Sequence, residues 1–302
     1  MPELPETETI ARDLDAAVRG AVVSRVEVLR DDVLRDLPVA AWTTTLPGLA
    51  VQRVWRRAKL VVLDLGPADA RLAHDVAEAT DAQPPTRPNA RPHAHAHLVV
   101  QPRFTGALLV DDGSLPAELR DYVCLRLTLR DGRTLHYRDV RRLGTVALQS
   151  PERFAAYTRE LGPEPLAADT TPATLRERLG HGVRPLKAAL MDQSRLAGVG
   201  NIYATEVCWA AALDPSRPGS SITDAEWQRV HDALVRILTA SIAARGTSFR
   251  DYRDARGERG RYVEALQAYG RAGLPCPRCG HRLVGTDAID GRMTVFCAWC
   301  QR

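Results

Sequence analysis

Two sets of residues in this chain can do chemistry. The first is the amino terminus, Met1-Pro2-Glu3-Leu4-Pro5-Glu6. The residue behind the initiator methionine is small, so methionine removal is the expected processing, and it exposes the secondary amine of Pro2. An α-amino group titrates near pH ~8, so a useful fraction is neutral, and a neutral amine attacking a sugar C1′ or an aldehyde forms a Schiff base. Glu3, next to it, can carry protons. The same residues also read as an ordinary helix start, with Pro5 at the first helical position and Glu6 and Glu8 at the positive end of the dipole. The second set is Cys276, Cys279, Cys297 and Cys300. Two close pairs, each with two residues inside it, can close a tetrahedral thiolate site around one structural zinc ion. Disulfides are the competing use, and a cytosolic chain disfavours them.

The basic residues are skewed. Of 41, 39 are arginine, and only Lys59 and Lys187 are lysine. Arginine keeps its charge whereas lysine can pass a proton, so a lone lysine in such a chain marks a place that needs an ammonium, unless the two are chance survivors. The net charge of +4 is carried by the second half: residues 1–150 hold 20 basic and 20 acidic residues, residues 151–302 hold 21 and 17. Within 245–302, 11 arginines against 6 carboxylates are interleaved with Phe249, Tyr252, Tyr262 and Tyr269, a composition suited to a polyanion such as nucleic acid. His93, His95 and His97 alternate and would share a strand face, but no acidic or thiol partner accompanies them, so no metal is assigned there. Cys124 and Cys208 sit among apolar residues and read as buried.

The elements that must hold these groups follow from periodicity. Ile10, Leu14 and Val18 make a helical stripe directly behind Glu3. Residues 22–29, 49–55 and 60–65 alternate as half-buried strands, which puts Lys59 at a strand start. From Gly66 to about Pro92 the pattern collapses into Ala, Asp and Pro, an insertion or loop. Strands resume at 98–100, 107–110, 123–129 and 134–137, the last two joined by the Asp131-Gly132 turn. Phe104 lies in the loop at 103–106, and Arg141 and Leu143 in the loop at 139–144; a loop pairing guanidiniums with an exposed leucine can grip a phosphate and wedge bases apart, or be an ordinary connection. Beyond the stiff segment 161–166 the period becomes helical, with helices expected at 172–179, 186–192, 201–212 and 223–245, the last opened by the capping box Thr223-Asp224-Ala225-Glu226. The two glycines before Asn201 let a backbone approach closely, and the free N–H groups of the next helix can hold a phosphate. With 302 residues, 45% of them apolar, the chain can fill two or three cores; it shows no run of 18 apolar residues and no signal-peptide pattern, so a cytoplasmic protein is expected.

Taken in order, PELPE at 2–6, RRAKL at 56–60, RRLG at 141–144, LGPEPL at 161–166, GVGNIYATE at 198–206, YGRAGLPC at 269–276 and the four cysteines resemble the formamidopyrimidine-DNA glycosylases, bacterial base-excision repair enzymes related to endonuclease VIII. The resemblance spans nearly the whole chain. It implies an α+β fold: an N-terminal helix and β-sandwich (1–150), a linker (151–168), a helix-two-turn-helix domain (169–262) and a zinc ribbon hairpin (263–302), with DNA between the halves. It also implies roles: Pro2 the Schiff-base nucleophile, Glu3 the general acid or base at the sugar, Lys59 a proton donor and phosphate or lesion contact, and Arg292 the finger arginine that binds the flanking phosphates and assists a second elimination. Phe104, Arg141 and Leu143 match the triad that fills the void left by a flipped nucleotide, a step needed because a base inside a duplex is unreachable. Lys187 and Asn201 match backbone phosphate contacts.

The sequence also departs from the family pattern. Relatives often carry methionine where Phe104 stands and phenylalanine where Leu143 stands. Tyr122 replaces a phosphate-binding histidine, and Val183 a lysine for which Arg184 can substitute. The segment 66–97 is longer than usual. The activity implied is a bifunctional glycosylase and AP lyase for oxidised purines, acting as a zinc-containing monomer on damaged double-stranded DNA in a bacterial cytoplasm. Leu4 and the segment 246–262 resemble the purine branch. The alternatives are an endonuclease VIII-like enzyme for oxidised pyrimidines and a non-catalytic zinc protein that recognises lesions without cutting.

Overall fold

The apolar stripe Ile10, Leu14 and Val18 is fully buried along the first helix, α1 (Leu4–Val18). In the computed structural model, which describes residues 2–68 and 96–302, that helix belongs to a unit made of the described residues up to Thr158 together with Arg245–Arg261. The unit is a two-sheet sandwich. One sheet has the strand order β2-β9-β5-β4-β3, formed by β2 (Leu34–Arg35), β3 (Leu49–Arg57), β4 (Leu60–Pro67), β5 (Ala96–Gln101) and β9 (Thr145–Gln149). The other has the order β1-β7-β8-β6, formed by β1 (Val23–Val28), β6 (Gly106–Asp111), β7 (Val123–Leu129) and β8 (Thr134–Asp139). All pairings are antiparallel except β2 with β9. Inward residues such as Val61, Leu63, Leu98, Leu125, Leu135 and Tyr137 share one core with the apolar face of α1.

The strand β4 departs from expectation. Its alternation predicts one wet face, but Leu60 and Val62 on the far side are buried as well, packed with Val99, Ala147 and Phe154. The cover comes from α3 (Pro151–Arg159), a helix inside the stretch expected to be linker. A short helix α2 (Val39–Thr45) seats Trp42 in the main core. The strands reach into the expected loop at 66–97: Gly66 and Pro67 end β4, and Ala96 and His97 begin β5. His93 and His95 lie outside the described residues. His97 has the acidic partner that the sequence did not reveal, since its Nδ1 lies 2.8 Å from Asp64 Oδ1 and both side chains are buried.

The second unit comprises Arg159–Ala244 and Tyr262–Arg302. Its helices are α4 (Pro172–Leu179), α5 (Leu186–Leu190), α6 (Asn201–Ala210) and α7 (Asp224–Ala243), each within two residues of the expected bounds. The Thr223 capping box is made, with Glu226 accepting the Thr223 N–H at 2.8 Å. Trp227, Val230, Leu234 and Leu238 are the buried face of α7. The hairpin of β10 (Val284–Thr286) and β11 (Thr294–Phe296) completes the unit, so ribbon and helices cluster together. Residues 245–261, expected at the end of the helical domain, belong instead to the first unit, and the cause is a set of buried polar contacts to α1 described below. Among the described residues no helix is long and apolar enough to cross a membrane.

Candidate active site and nucleic-acid interface

The amino terminus is held by its own helix start. Pro2 and Glu3 are buried ahead of α1, with Glu3 as the N-cap residue. The carboxylate of Glu6, 1% exposed, accepts the Glu3 N–H at 2.8 Å through Oε2 and the Thr247 N–H at 2.7 Å through Oε1. A side chain read as a dipole complement is therefore a clasp joining the terminus to residue 247. Gly246 is part of that clasp: its φ is 83°, and a Cβ there would stand 2.9 Å from Glu6 Cγ. Tyr252 donates to the Glu6 carbonyl at 3.3 Å, and Arg245 pairs with both Asp13 and Asp254. Burial, with Glu6 nearby, pushes the Tyr252 hydroxyl pKa well up, so it stays a donor.

Lys59 is brought to the same end of α1. It is the second residue of the two-residue turn between β3 and β4, a tighter setting than the strand start expected. The turn is pinned on both sides. Thr7 donates to the Ala58 carbonyl at 3.5 Å, and Arg56 Nε meets Glu8 at 2.8 Å. Burial alone would raise the Glu8 carboxyl, but the Arg56 and Arg12 guanidiniums outweigh it and hold it below its ordinary value. Ala58, at φ 54°, turns the chain in the left-handed region. Buried Pro2 and Glu3 and half-buried Lys59 thus lie near the start of one helix.

Phe104 and Leu143, 47% and 40% exposed, stand out from the same end of the strands as Lys59, since Val61 pairs with Val100 and Gln101 with Thr145. Arg141 lies over the Phe104 ring at 5.4 Å, an attractive cation–π stack. Tyr122 is also exposed, with Arg138 over its ring at 5.6 Å.

In the second unit the expected contacts separate. Arg184 is on the surface, paired with Asp192. Lys187 is not at the surface at all: its side chain is 0% exposed and its Nζ lies 2.8 Å from Asp290 Oδ2. Burial pushes its pKa down, with Asp290 opposing the shift. The same Asp290 carboxylate accepts the Arg292 N–H at 3.1 Å, while Asn201 Nδ2 donates to the Met293 carbonyl at 3.0 Å. Lys187 and Asn201 therefore hold the loop that carries exposed Arg292, rather than lying open to a ligand, although Asn201 keeps a second amide hydrogen. The turn before α6 is tied by Gln193, which accepts the Gly198 N–H at 2.9 Å and donates to the Met191 and Val199 carbonyls at 2.8 Å each. Glu206, buried on α6, accepts the N–H groups of Gln267, Ala268 and Tyr269 at 2.9, 2.8 and 2.8 Å, anchoring the strand of chain that leads into the ribbon. These carboxylates were not singled out from sequence; Glu206 lies inside the NIYATE motif, but its role depends on residues sixty positions away.

The four cysteine sulfurs lie within 4.8 Å of one another, and none is in a disulfide. An all-thiolate set of that size fits a tetrahedral ion with bonds of ~2.3 Å, the geometry of a closed structural zinc site. Among the described residues it is the one cluster able to hold a metal. Cys124 and Cys208 are buried away from it, and burial pushes the Cys208 thiol up to about 12, so neither behaves as a nucleophile.

Residues 1–146 match the model of the formamidopyrimidine-DNA glycosylase N-terminal domain, and residues 161–253 that of the formamidopyrimidine-DNA glycosylase H2TH domain. The chain is 35% identical to a formamidopyrimidine-DNA glycosylase of Chloroflexus aurantiacus, over 100% of this chain and 98% of the relative. It is 36% identical to that of Heliobacterium modesticaldum over 100% of both. Among solved structures, the complex of Lactococcus lactis Fpg with abasic-site DNA aligns with a TM-score of 0.83 at 27% identity, covering 99% of each chain. The MutM (Fpg) protein of Thermus thermophilus aligns with a TM-score of 0.78 at 31% identity, covering 99% of this chain and 98% of that one.

Proposed function

The chain belongs to the formamidopyrimidine-DNA glycosylase family, and from that membership we infer that it excises oxidised purines, formamidopyrimidines and 8-oxoguanine, from damaged double-stranded DNA and cleaves the abasic site left behind. The observation that carries the reading is the assembly of Pro2, Glu3 and Lys59 at the start of α1. With Met1 removed, the neutral amine of Pro2 attacks C1′, the base departs with a proton, and the ring opens to an iminium. The iminium acidifies C2′; a base takes that proton, and the 3′ phosphate leaves by β-elimination. Loss of the 5′ phosphate follows as the second elimination, assisted by Arg292. Glu3 moves protons at the sugar and Lys59 supplies one to the departing group. Phe104, Arg141 and Leu143 enter the duplex as the lesion is turned out. Tyr122 and Arg184 meet backbone phosphates. One zinc ion closes the cysteine cluster, and the protein works as a monomer in the bacterial cytoplasm.

Borohydride trapping on duplexes carrying an abasic site tests the chemistry. The mature protein should give a covalent adduct, and Pro2→Gly should lower it by about 100-fold or more, the scale of losing an activated nucleophile. No adduct from the mature, zinc-loaded protein would leave a lesion-binding protein in place of an enzyme. Strand cleavage that favours thymine glycol over 8-oxoguanine would move the substrate to oxidised pyrimidines.

The finger loop has its own test. Lys187→Met leaves the largely buried Asp290 without its partner, a change that typically costs about 3–5 kcal/mol when a buried pair is broken. The share of product from the second elimination should fall about 5-fold while trapping is retained, as expected if Arg292 acts only late. An unchanged product ratio would show that Asp290 needs no partner to place Arg292.

A further inference from the structure

Base extrusion needs three side chains, from two loops, to present themselves as one plug. Short loops between strands do not hold a shape alone. β5 passes to β6 through residues 102–105, and β8 passes to β9 through residues 140–144. Each loop contains a non-glycine residue in the left-handed region, Arg103 at φ 51° and Arg142 at φ 53°. Such residues carry a backbone strain and persist only where their surroundings over-determine them.

Those surroundings converge on one carboxylate. Asp139, the last residue of β8, is 1% exposed and accepts four hydrogen bonds. Its Oδ1 takes the Thr105 hydroxyl and the Arg141 N–H, the latter at 3.2 Å. Its Oδ2 takes the Tyr137 hydroxyl at 3.2 Å and the Gly144 N–H at 2.8 Å. The Thr105 hydroxyl also accepts the Arg141 N–H at 3.0 Å. The residue after Phe104 and the backbone of Arg141 therefore meet at one oxygen, and the far end of the Leu143 loop is held by the other. Gly144 makes room for this: a Cβ there would stand 2.0 Å from Tyr137 Oη and 2.7 Å from the Gln101 carbonyl. Burial and the adjacent Asp139 push the Tyr137 pKa far up, so its hydroxyl remains a donor.

We propose that Asp139 is a positioning residue for base extrusion, joining the two loops so that Phe104, Arg141 and Leu143 form one preassembled plug. The proposal rests on the glycosylase reading above. Loops ordered before DNA arrives do not have to be ordered during extrusion, which is where the cost would otherwise appear in the rate. The Arg141–Phe104 stack follows from the same link, because Thr105 fixes the backbone of both partners. Excision thus depends on Asp139, whereas cleavage of an existing abasic site, which has no base to displace, does not.

Two variants test this. Asp139→Asn puts an amide donor against N–H or O–H donors, and Thr105→Val removes the relay hydroxyl at nearly constant shape. Zinc-loaded wild type and variants are compared in single-turnover excision of 8-oxoguanine opposite cytosine, in cleavage of a preformed abasic site in the same duplex, and in the fluorescence of 2-aminopurine beside the lesion. Excision should fall about 30-fold in Asp139→Asn and about 5-fold in Thr105→Val, with abasic-site cleavage kept within about 3-fold and the fluorescence rise slowed in step with excision. A residue needed only for folding would lower both reactions alike; equal losses, or unchanged excision, overturn the proposal. If Asp139→Asn fails to fold, Thr105→Val carries the same comparison. A wild type that neither excises nor cleaves removes the glycosylase reading itself, and this proposal with it.

Discussion

Glu6→Ala is expected to cut borohydride trapping by about 100-fold, although the Glu6 carboxylate is committed to the protein's own backbone. The change strips the acceptor from two buried N–H groups, those of Glu3 and Thr247. Each orphaned donor costs about 1–3 kcal/mol, so a stability loss of roughly 2–6 kcal/mol should accompany it in urea unfolding. The larger consequence is positional. Without the clasp the terminus loses its link to residue 247, and a nucleophile displaced by about 1 Å loses on the order of 100-fold in rate. Glu6→Gln separates this from electrostatics. A nearby anion favours the charged amine, so if charge were the only role of Glu6, removing it would leave more neutral Pro2 and speed trapping. The clasp predicts slower trapping, because a carboxamide can accept from one N–H only while its own N–H₂ faces the other. Gly246→Ala should show the same defect, since its Cβ would press on Glu6 Cγ at 2.9 Å from a backbone at φ 83°. Wild-type trapping in all three variants would mean that the terminus is placed by something other than this clasp.

Zinc removal is the second large effect. The ribbon strands have three residues each, and the cluster they build holds only Cys276, Leu283, Val295 and Cys297 as buried apolar residues. A core of that size cannot pay for ordering the segment, so thiolate–metal bonds must supply the folding free energy. Cys276→Ser, or prolonged chelation, should reduce affinity for DNA carrying an abasic analogue by about 10-fold or more and abolish the second elimination, because the loop bearing Arg292 hangs from this hairpin. The sandwich of the first unit has its own core and should keep its cooperative unfolding. Zinc content, fluorescence anisotropy and product analysis on the same preparation read out all three. Full affinity after stoichiometric loss of zinc would show that the ribbon folds without it.

Much of the site was legible because its signals are local. The cysteine pairs need only their spacing, the helix start needs only Pro5 and Glu6 behind Glu3, and the α7 cap needs only Thr223 and Glu226. Lys59 and Arg292 were singled out through the family motifs, Lys59 at an expected strand start that the structure tightens to a two-residue turn. Lys187 shows the limit of that reading. The lone lysine marked a place where the fold buries an ammonium, yet its partner is Asp290, 103 residues away, and not an open ligand site. His97 is the same lesson in reverse: it was read without an acidic partner, and Asp64 supplies one across the β4–β5 pairing.

The amino-acid sequence alone singled out a candidate nucleophile, the four clustered cysteines, the order of the elements and the family resemblance, since each depends on residue type at short spacing. Tertiary structure decided which carboxylates serve the chain instead of the substrate. Glu6 reaches Thr247 across 241 positions, Asp139 gathers donors from two loops, and Glu206 accepts three backbone groups more than sixty residues on. A buried carboxylate must find donors wherever the fold brings them, and no local pattern records where that will be.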